Sequence, residues 1–514
     1  MLLRRSSRIL TQSSFQRTWN ELLRRSYSSK VYRFNNNSSN NKFKNISIAI
    51  LGGSTLILAY SLFSQSTVIS LESLGEQIRR YTTIKKEPAP TSHGFVILDD
   101  SQVNNRLRNL EESYLVNRGT GIVRYDISQL PSNHPIEDNH VERILSQDNN
   151  DIYFFGIFDG HGGPFTSSRL SQDIIKYVSK QLLDSKESMD NSIVKGFINL
   201  DNDIIFNSFR KIFQDSKDNA NLINLLPAIS GSCALLSIFD STDSTLKVAV
   251  TGDSRALLGG IENNEWYVKS LSTDQTGDSP SEIERIQNEH PDEPNVIRRG
   301  RILGSLQPSR AFGDYRYKLN QIDGKSLREL PENVRMFLRT EPKEFKTPPY
   351  VTAKPEITTT KIDSNMKFLV LASDGLFELL TNEEIAALVI KWRDHYILKT
   401  AAGNTKKNLP LVKDISQDKD SLRPTFRYRS SVDTVDKVDY LLEDSNVATH
   451  LIRNALSVGG QKEYVSRLVS IPSPMSRKYR DDLTVTVAFF GENDKIDGTT
   501  VTNHAATRLP TPKL

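Results

Sequence analysis

The sequence predicts a mixed α+β domain built on paired strands, and three observations point there. Apolar runs rich in aromatic and aliphatic residues, such as YFFGIF at 153–158 and KFLVLA at 367–372, have the length of buried strands. Several of these runs end on Asp-Gly or Gly-Asp, the strongest short-range turn signal, and LKVAVTGDSRALLGG at 246–260 reads as strand, turn and returning strand. Helix signals lie between the runs: Thr381-Asn-Glu-Glu384 is a capping box that opens EEIAALVIKW.

Taken in order, residues 1–45 hold ten Lys/Arg against the single acid Glu21, a local charge of +9; with +4 for the whole chain, that leaves −5 for the rest. A mildly acidic body argues against a nucleic-acid binder, so no nucleic-acid partner is expected. The Arg- and Ser-rich, acid-poor start has the character of a mitochondrial presequence, and Arg25-Ser26-Tyr27-Ser28 resembles a matrix processing site.

Residues 46–63 are apolar, and no charge interrupts 45–71. Eighteen helical residues span about 27 Å, close to a bilayer core, which predicts a transmembrane segment in the inner mitochondrial membrane. Lys42 and Lys44 before it and Glu72 after it would send the larger domain to the intermembrane space. If the segment is instead a sorting helix, the domain lies in the matrix.

A linker is expected over 64–113, a folded domain over 114–492 with a polar insertion at about 393–444, and a disordered tail over 493–514. The last three residues, Pro512-Lys513-Leu514, match two of three positions of a peroxisomal Ser-Lys-Leu address. Within the domain, Ser279-Pro280-Ser281-Glu282 starts a helix with Ser as N-cap and Pro at N1. Cys233 is the only cysteine, which excludes an intrachain disulfide and a cysteine zinc site.

The chemistry lies in how strands end. Asp159, Asp253 and Asp374 follow strand runs, Asp481 and Asp482 precede one, and the acidic pair Glu137-Asp138 stands ahead of the first. Any one of them alone reads as a turn residue. Strand ends of one layered core lie close together, however, and clustered carboxylates repel unless a cation neutralises them. Hard oxygens without cysteine select Mg²⁺ or Mn²⁺. Two such ions about 3.5–4 Å apart can clamp the attacking and leaving oxygens of an in-line displacement. No phosphate-binding loop of the G-x-x-x-x-G-K-[ST] type is present, nor an arginine after Cys233 at the spacing of a cysteine phosphatase.

FFGIFDGHGG, GSCALLSIFD, VAVTGDSRALL, LGSLQPSRAFGDYRYK, FLVLASDGLFELL and RDDLTVTVAFF occur in the order found in type 2C metal-dependent serine/threonine protein phosphatases. The chain resembles that family from Gly119 to Gly491, and NHPIED, TPPYVTAKPEIT and NVATHLIRNAL resemble its mitochondrial pyruvate dehydrogenase phosphatase branch. The resemblance implies a four-layer α–β–β–α sandwich, two antiparallel sheets flanked by helices. It implies Mg²⁺ or Mn²⁺, two per active site, with a weaker third.

By the same resemblance, Asp159 bridges both ions and the Gly160 carbonyl ligates one. Asp374 and Asp481 complete the other, Glu137 and Asp138 act through water, and Asp253 serves the third. His161 is the implied general acid and Arg124 the phosphate clamp, with Arg118 or Arg310 as alternatives. Asp482 is either an extra ligand or a solvent-facing strand residue. The stretch Thr273–Asp314 is implied to contain a mobile flap beside the active site. The implied reaction is hydrolysis of phosphoserine or phosphothreonine in mitochondrial proteins, including phosphorylated pyruvate dehydrogenase E1. The alternative is an inactive phosphatase-like scaffold. A matrix substrate conflicts with a domain anchored on the far side of the inner membrane, so one of these expectations must yield.

Overall fold

The computed structural model describes residues 95–147, 150–184, 187–398, 412–416, 440–492 and 496–508. They fall almost wholly in one compact unit, Pro90–Val178 with Glu187–Leu514; the other unit, Met1–Ala89 with Ser179–Lys186, contributes to them only the end of a helix. The segment 46–63, the residues before it and most of the 393–444 insertion lie outside the described residues.

Twelve strands make two antiparallel sheets: β1 Glu111–Asn117, β2 Thr120–Leu130, β3 Asn139–Gln147, β4 Asn150–Phe158, β5 Ala234–Asp240, β6 Thr245–Thr251, β7 Arg255–Glu262, β8 Glu265–Ser270, β9 Glu356–Lys361, β10 Met366–Ala372, β11 Leu483–Glu492 and β12 Thr499–Thr502. The first sheet has the order β8-β7-β10-β11-β2-β1-β12 and the second β9-β6-β5-β4-β3.

Period-two alternation explains why the strand runs are apolar throughout. In β4, Tyr153, Phe155 and Ile157 enter the core between the sheets, while Phe154 and Phe158 on the other face are equally buried. In β10, Leu369 and Leu371 point between the sheets; Phe368 and Val370 meet a second core formed with helices. A strand covered on both faces has no polar face to show, so it reads as a continuous hydrophobic run.

The helices include α1 Asp100–Leu107, α2 Phe165–Asp184, α3 Met189–Asn202, α4 Pro280–Glu289, α5 Asn382–Arg393, α6 Val447–Ser457 and α7 Lys462–Ser470. Helices α1, α5, α6 and α7 supply Leu107, Trp392, Leu451 and Val469 to the core over the first sheet. Over the second sheet, Ser167 of α2 bonds Asn139 at 3.0 Å, and Asp190 of α3 pairs with Lys247 of β6 at 2.7 Å. The result is the α–β–β–α sandwich. The capping box at Thr381 forms as read, Thr381 accepting from the Glu384 amide and Glu384 from the Thr381 amide.

Two boundaries are corrected. The fold begins before residue 114: Asp99 caps α1 in a capping box, Val103 and Leu107 are buried, and β1 starts at Glu111. The 493–514 segment is not wholly a disordered tail, because Thr499–Thr502 forms β12 and pairs with β1 in the register Tyr114↔Thr502 to Asn117↔Thr499. Three threonines and a valine suit an edge strand, and β1 offers them a row of backbone partners.

Candidate metal centre

Antiparallel pairing brings the acidic positions to one end of the sandwich. Asn139 of β3 faces Phe158 of β4, so Asp138 and Asp159 are carried to the same edge. Leu130 of β2 faces Leu483 of β11, and Ala372 of β10 faces Val485, so Asp374 and Asp482 leave the first sheet there too. Ala234 of β5 faces Thr251 of β6, placing Cys233 against the Gly252-Asp253 turn; the Cys233 thiol donates to Asp253 Oδ1 at 3.1 Å.

Burial dominates the electrostatics. Desolvation, then Asp374, Asp138 and Asp253, raises the Asp159 carboxyl well above the usual range, and Asp374 lies within its hydrogen-bonding reach. Burial and Asp374 push Asp253 up to about 7, and the same two causes push Glu378 to about 7. Asp138 is raised by burial and by Asp482, against hydrogen bonds from Thr484 and Ser373. Glu137 is raised chiefly by burial while Oε1 accepts from the Gly163 amide at 2.6 Å. A Cβ on Gly160 would strike the Glu137 carbonyl, so only glycine allows this approach of strand end to loop.

Among the described residues, no three His, Cys, Asp or Glu side chains are closed into a coordination shell. Asp481 is turned to Arg477, and Asp159 to Asp374. The donor set nonetheless fits a hard divalent cation. Its members are acceptors that repel one another, and Asp374 Oδ1 is buried with no hydrogen-bond donor.

His161 joins the cluster through the short pairing of Gly160–His161 with Gly231–Ser232. Its Nε2 bonds Asp314 Oδ2 at 2.6 Å. Burial alone would lower the imidazole pKa, but the Asp314 carboxylate outweighs it and the net shift is upward. Asp314 sits at φ 52°, a left-handed conformation that Asp tolerates better than most residues. A Cβ on Gly231 would strike both His161 Nε2 and Asp314 Oδ2, which explains the glycine facing the pair.

Arg124 is not part of this centre. It lies six residues up β2 from Leu130, roughly 20 Å away at strand rise. There it grips buried Asp126 with Nε and Nη2, each at 2.8 Å, donates to the Ser445 carbonyl and covers the Trp392 ring. The spacing from Arg124 to Glu137 needed a loop that returned to the site; β2 instead runs straight to Leu130. Neither alternative replaces it. Arg118 pairs with Asp151 at the far end of β4, and Arg310 is locked between Glu282 and Glu356. The arginines the structure does bring in are Arg477, paired with Asp481, and Arg339, whose Nη2 lies against Gly162.

Asp482 is neither solvent-facing nor aimed outward as an added ligand. It is 1% exposed and accepts from Ser132 N at 2.6 Å, Ser132 Oγ at 2.8 Å and Glu137 N at 2.8 Å. It therefore ties down the loop that presents Glu137 and Asp138. Asp314, Arg477 and Arg339 are the residues that sequence reasoning missed, and Asp482 is the one whose role it misread. The spacing of Arg477 four residues before Asp481, and the Asp of RAFGD, were the available signals.

Residues 128–409 match the Protein phosphatase 2C family. The chain belongs to that family. It is 53% identical to mitochondrial pyruvate dehydrogenase (acetyl-transferring) phosphatase 1 of Saccharomyces cerevisiae, over 99% of this chain and 96% of the relative. It is 37% identical to a protein phosphatase 2C homologue of Schizosaccharomyces pombe, over 90% of this chain and 97% of that one. The human mitochondrial pyruvate dehydrogenase phosphatase 1 is 29% identical over 77% of this chain and 84% of its own length. The chain is thus a serine/threonine protein phosphatase of the pyruvate dehydrogenase phosphatase-like branch, in a family that depends on Mg²⁺ or Mn²⁺.

Proposed function

We propose that this phosphatase removes phosphate from serine or threonine of the pyruvate dehydrogenase complex inside mitochondria. The observation that supports it most is the cluster of Asp159, Asp253, Asp374 and Asp138 at one end of the sandwich, in a chain 53% identical to a phosphatase so named. In this reading Asp159, the Gly160 carbonyl, Asp374 and Asp481 hold two ions, Glu137 and Asp138 orient water, and Asp253 serves a weaker third. When bound, Mg²⁺ or Mn²⁺ supplies Lewis acidity toward the phosphoryl oxygens and acidifies water.

The chain's own residues do the rest. Asp314 takes up Nε2 of His161, so Nδ1 is the nitrogen placed to deliver a proton. A water oxygen attacks phosphorus and its protons leave with the phosphate released, the bond from phosphorus to the seryl or threonyl oxygen breaks, and that oxygen takes the Nδ1 proton of the imidazolium. Arg339, beside Gly162, replaces Arg124 as the candidate for contact with the phosphate. No specific observation favours an inactive scaffold, because every matching carboxylate is present.

The mitochondrial address is part of the proposal, since the alignment with the yeast relative covers 99% of this chain. Anchoring at 46–63 and a peroxisomal destination are not. No helix among the described residues is long and apolar enough to cross a membrane, and both 46–63 and Pro512-Lys513-Leu514 lie outside them. A matrix location removes the conflict with the substrate. The test is release of phosphate from phosphorylated pyruvate dehydrogenase E1 by the full chain with Mg²⁺ or Mn²⁺. Turnover of an unrelated phosphopeptide without turnover of E1 would reject the substrate while keeping the phosphatase.

A further inference from the structure

Asp314 and Tyr315 are neighbours in the chain, and each side chain serves a different partner. Asp314 takes up His161 Nε2 at 2.6 Å, whereas Tyr315 reaches a distant stretch of backbone. Its ring is 3% exposed and packs on Phe209, with centroids 5.1 Å apart. Its hydroxyl donates to the Arg339 carbonyl at 3.1 Å, across 24 residues of sequence. Burial pushes the phenol up to about 12, so the donor keeps its proton at neutral pH.

The turn that carries this tyrosine is firmly held. Tyr315–Lys318 is one helical turn, and Lys318 at its end gives Nζ to Asp201 Oδ2 of α3 at 2.6 Å and to the Ala311 carbonyl at 2.7 Å. Gly313, just before it, donates its amide to Asp201 Oδ1 at 2.8 Å. The stretch it reaches is different in kind. From Arg339 to Lys346 the chain forms neither helix nor strand, and Arg339, Thr340 and Glu341 are exposed. Exposed irregular backbone opens readily, so a hydrogen bond from a packed turn gives it a fixed point.

That fixed point carries the Arg339 side chain. Its guanidinium lies against Gly162, next to His161: a Cβ on Gly162 would stand 2.7 Å from Nη2 and 3.4 Å from Cζ. Arg328 is taken by Glu341 at 2.6 Å, but among the described residues no carboxylate pairs with Arg339. We infer that Tyr315 is a positioning residue for phosphate recognition, its hydroxyl holding the Arg339 backbone so that the guanidinium stays beside the general acid. One helical turn then places both groups, His161 through Asp314 and Arg339 through Tyr315. The inference rests on the reading of Arg339 as the phosphate contact and adds the group that keeps it there.

The test is steady-state hydrolysis of a phosphothreonine peptide by the full-length, Mg²⁺-saturated protein, with inorganic phosphate as competing product. Tyr315→Phe keeps the ring on Phe209 and deletes only the donor. A neutral hydrogen bond is worth a factor of about three to ten in an equilibrium. KM and the inhibition constant of phosphate should therefore both rise by that factor, with kcat and its pH profile as in wild type. Melting should stay within about 2 °C of wild type. In an Arg339→Ala background, itself raised in KM, the same change should add less than twofold. Wild-type KM and phosphate inhibition in Tyr315→Phe, beside an impaired Arg339→Ala, would overturn the role of Tyr315 and leave Arg339 standing. An unimpaired Arg339→Ala would overturn both. A shifted pH profile of kcat would overturn the inference by placing the effect on Asp314 and His161. Equal losses in both backgrounds, or a larger fall in melting temperature, would overturn it by making the bond merely structural.

Discussion

Replacing Asp482 by alanine tests how the acidic loop before β3 is held. Its carboxylate accepts three hydrogen bonds, at 2.6, 2.8 and 2.8 Å, two of them from the backbone amides of Ser132 and Glu137. Truncation leaves these amides without their acceptor in a buried place, at about 1–3 kcal/mol each. Part of this is returned, because Asp482 also repels the carboxylates of Asp138 and Glu137. A net loss of about 3 kcal/mol corresponds to a melting temperature lower by about 3–4 °C in a domain of roughly 400 residues. The freed loop should also raise the Mg²⁺ concentration for half-maximal activity about tenfold, with a smaller effect on kcat. Differential scanning calorimetry and Mg²⁺ titration of phosphopeptide hydrolysis measure both. Asp482→Asn, which keeps one acceptor oxygen, should fall between. A melting temperature within 1 °C of wild type and an unchanged Mg²⁺ dependence would refute the reasoning.

Arg124→Ala should cost about 3 kcal/mol by leaving buried Asp126 without its guanidinium, yet leave kcat and KM unchanged, as urea unfolding and steady-state kinetics would show. Asp314→Asn should lower kcat roughly 10²-fold with little effect on melting, because the imidazole loses the carboxylate that favours its protonated form. Burial would raise the Glu282 carboxyl, but hydrogen bonds from Arg310, Arg285 and Ser309 outweigh it and hold the group at about 2, below its ordinary 4.5. A depressed carboxylate stabilises the fold above pH 4.5 and loses that contribution as pH falls toward 2. About 3 kcal/mol should therefore separate wild type from Glu282→Gln at pH 6, shrinking as pH falls through that window in paired denaturant titrations.

Much of the centre could be read from the chain because period-two strands with both faces covered announce themselves as apolar runs. Asp159, Asp253 and Asp374 then mark where each run stops. Antiparallel register does the remaining work, and it puts those stops at one end of the sandwich. Arg124 was misplaced because sequence distance to Glu137 says nothing about direction: a residue within β2 is carried away from the site at about 3.4 Å per position. Asp482 was misjudged for a related reason. Alternation along β11 gives its face, but the partner that buries it, the loop at Ser132 and Glu137, comes from 350 and 345 residues away. β12 was missed because four residues among polar neighbours carry no signal until β1 offers an edge.

The central claim is that carboxylates at the strand ends hold the divalent cations on which hydrolysis depends, with Asp159 at their centre. Asp159→Asn removes one charge and preserves shape and burial. The measurement is Mn²⁺- and Mg²⁺-dependent phosphate release from a phosphothreonine peptide by the full-length variant, beside its melting temperature. The account predicts a loss of at least 10³-fold with melting unchanged or raised, since burial and repulsion by Asp374 disfavour that charge in the folded protein. Wild-type turnover in a folded Asp159→Asn protein would contradict it.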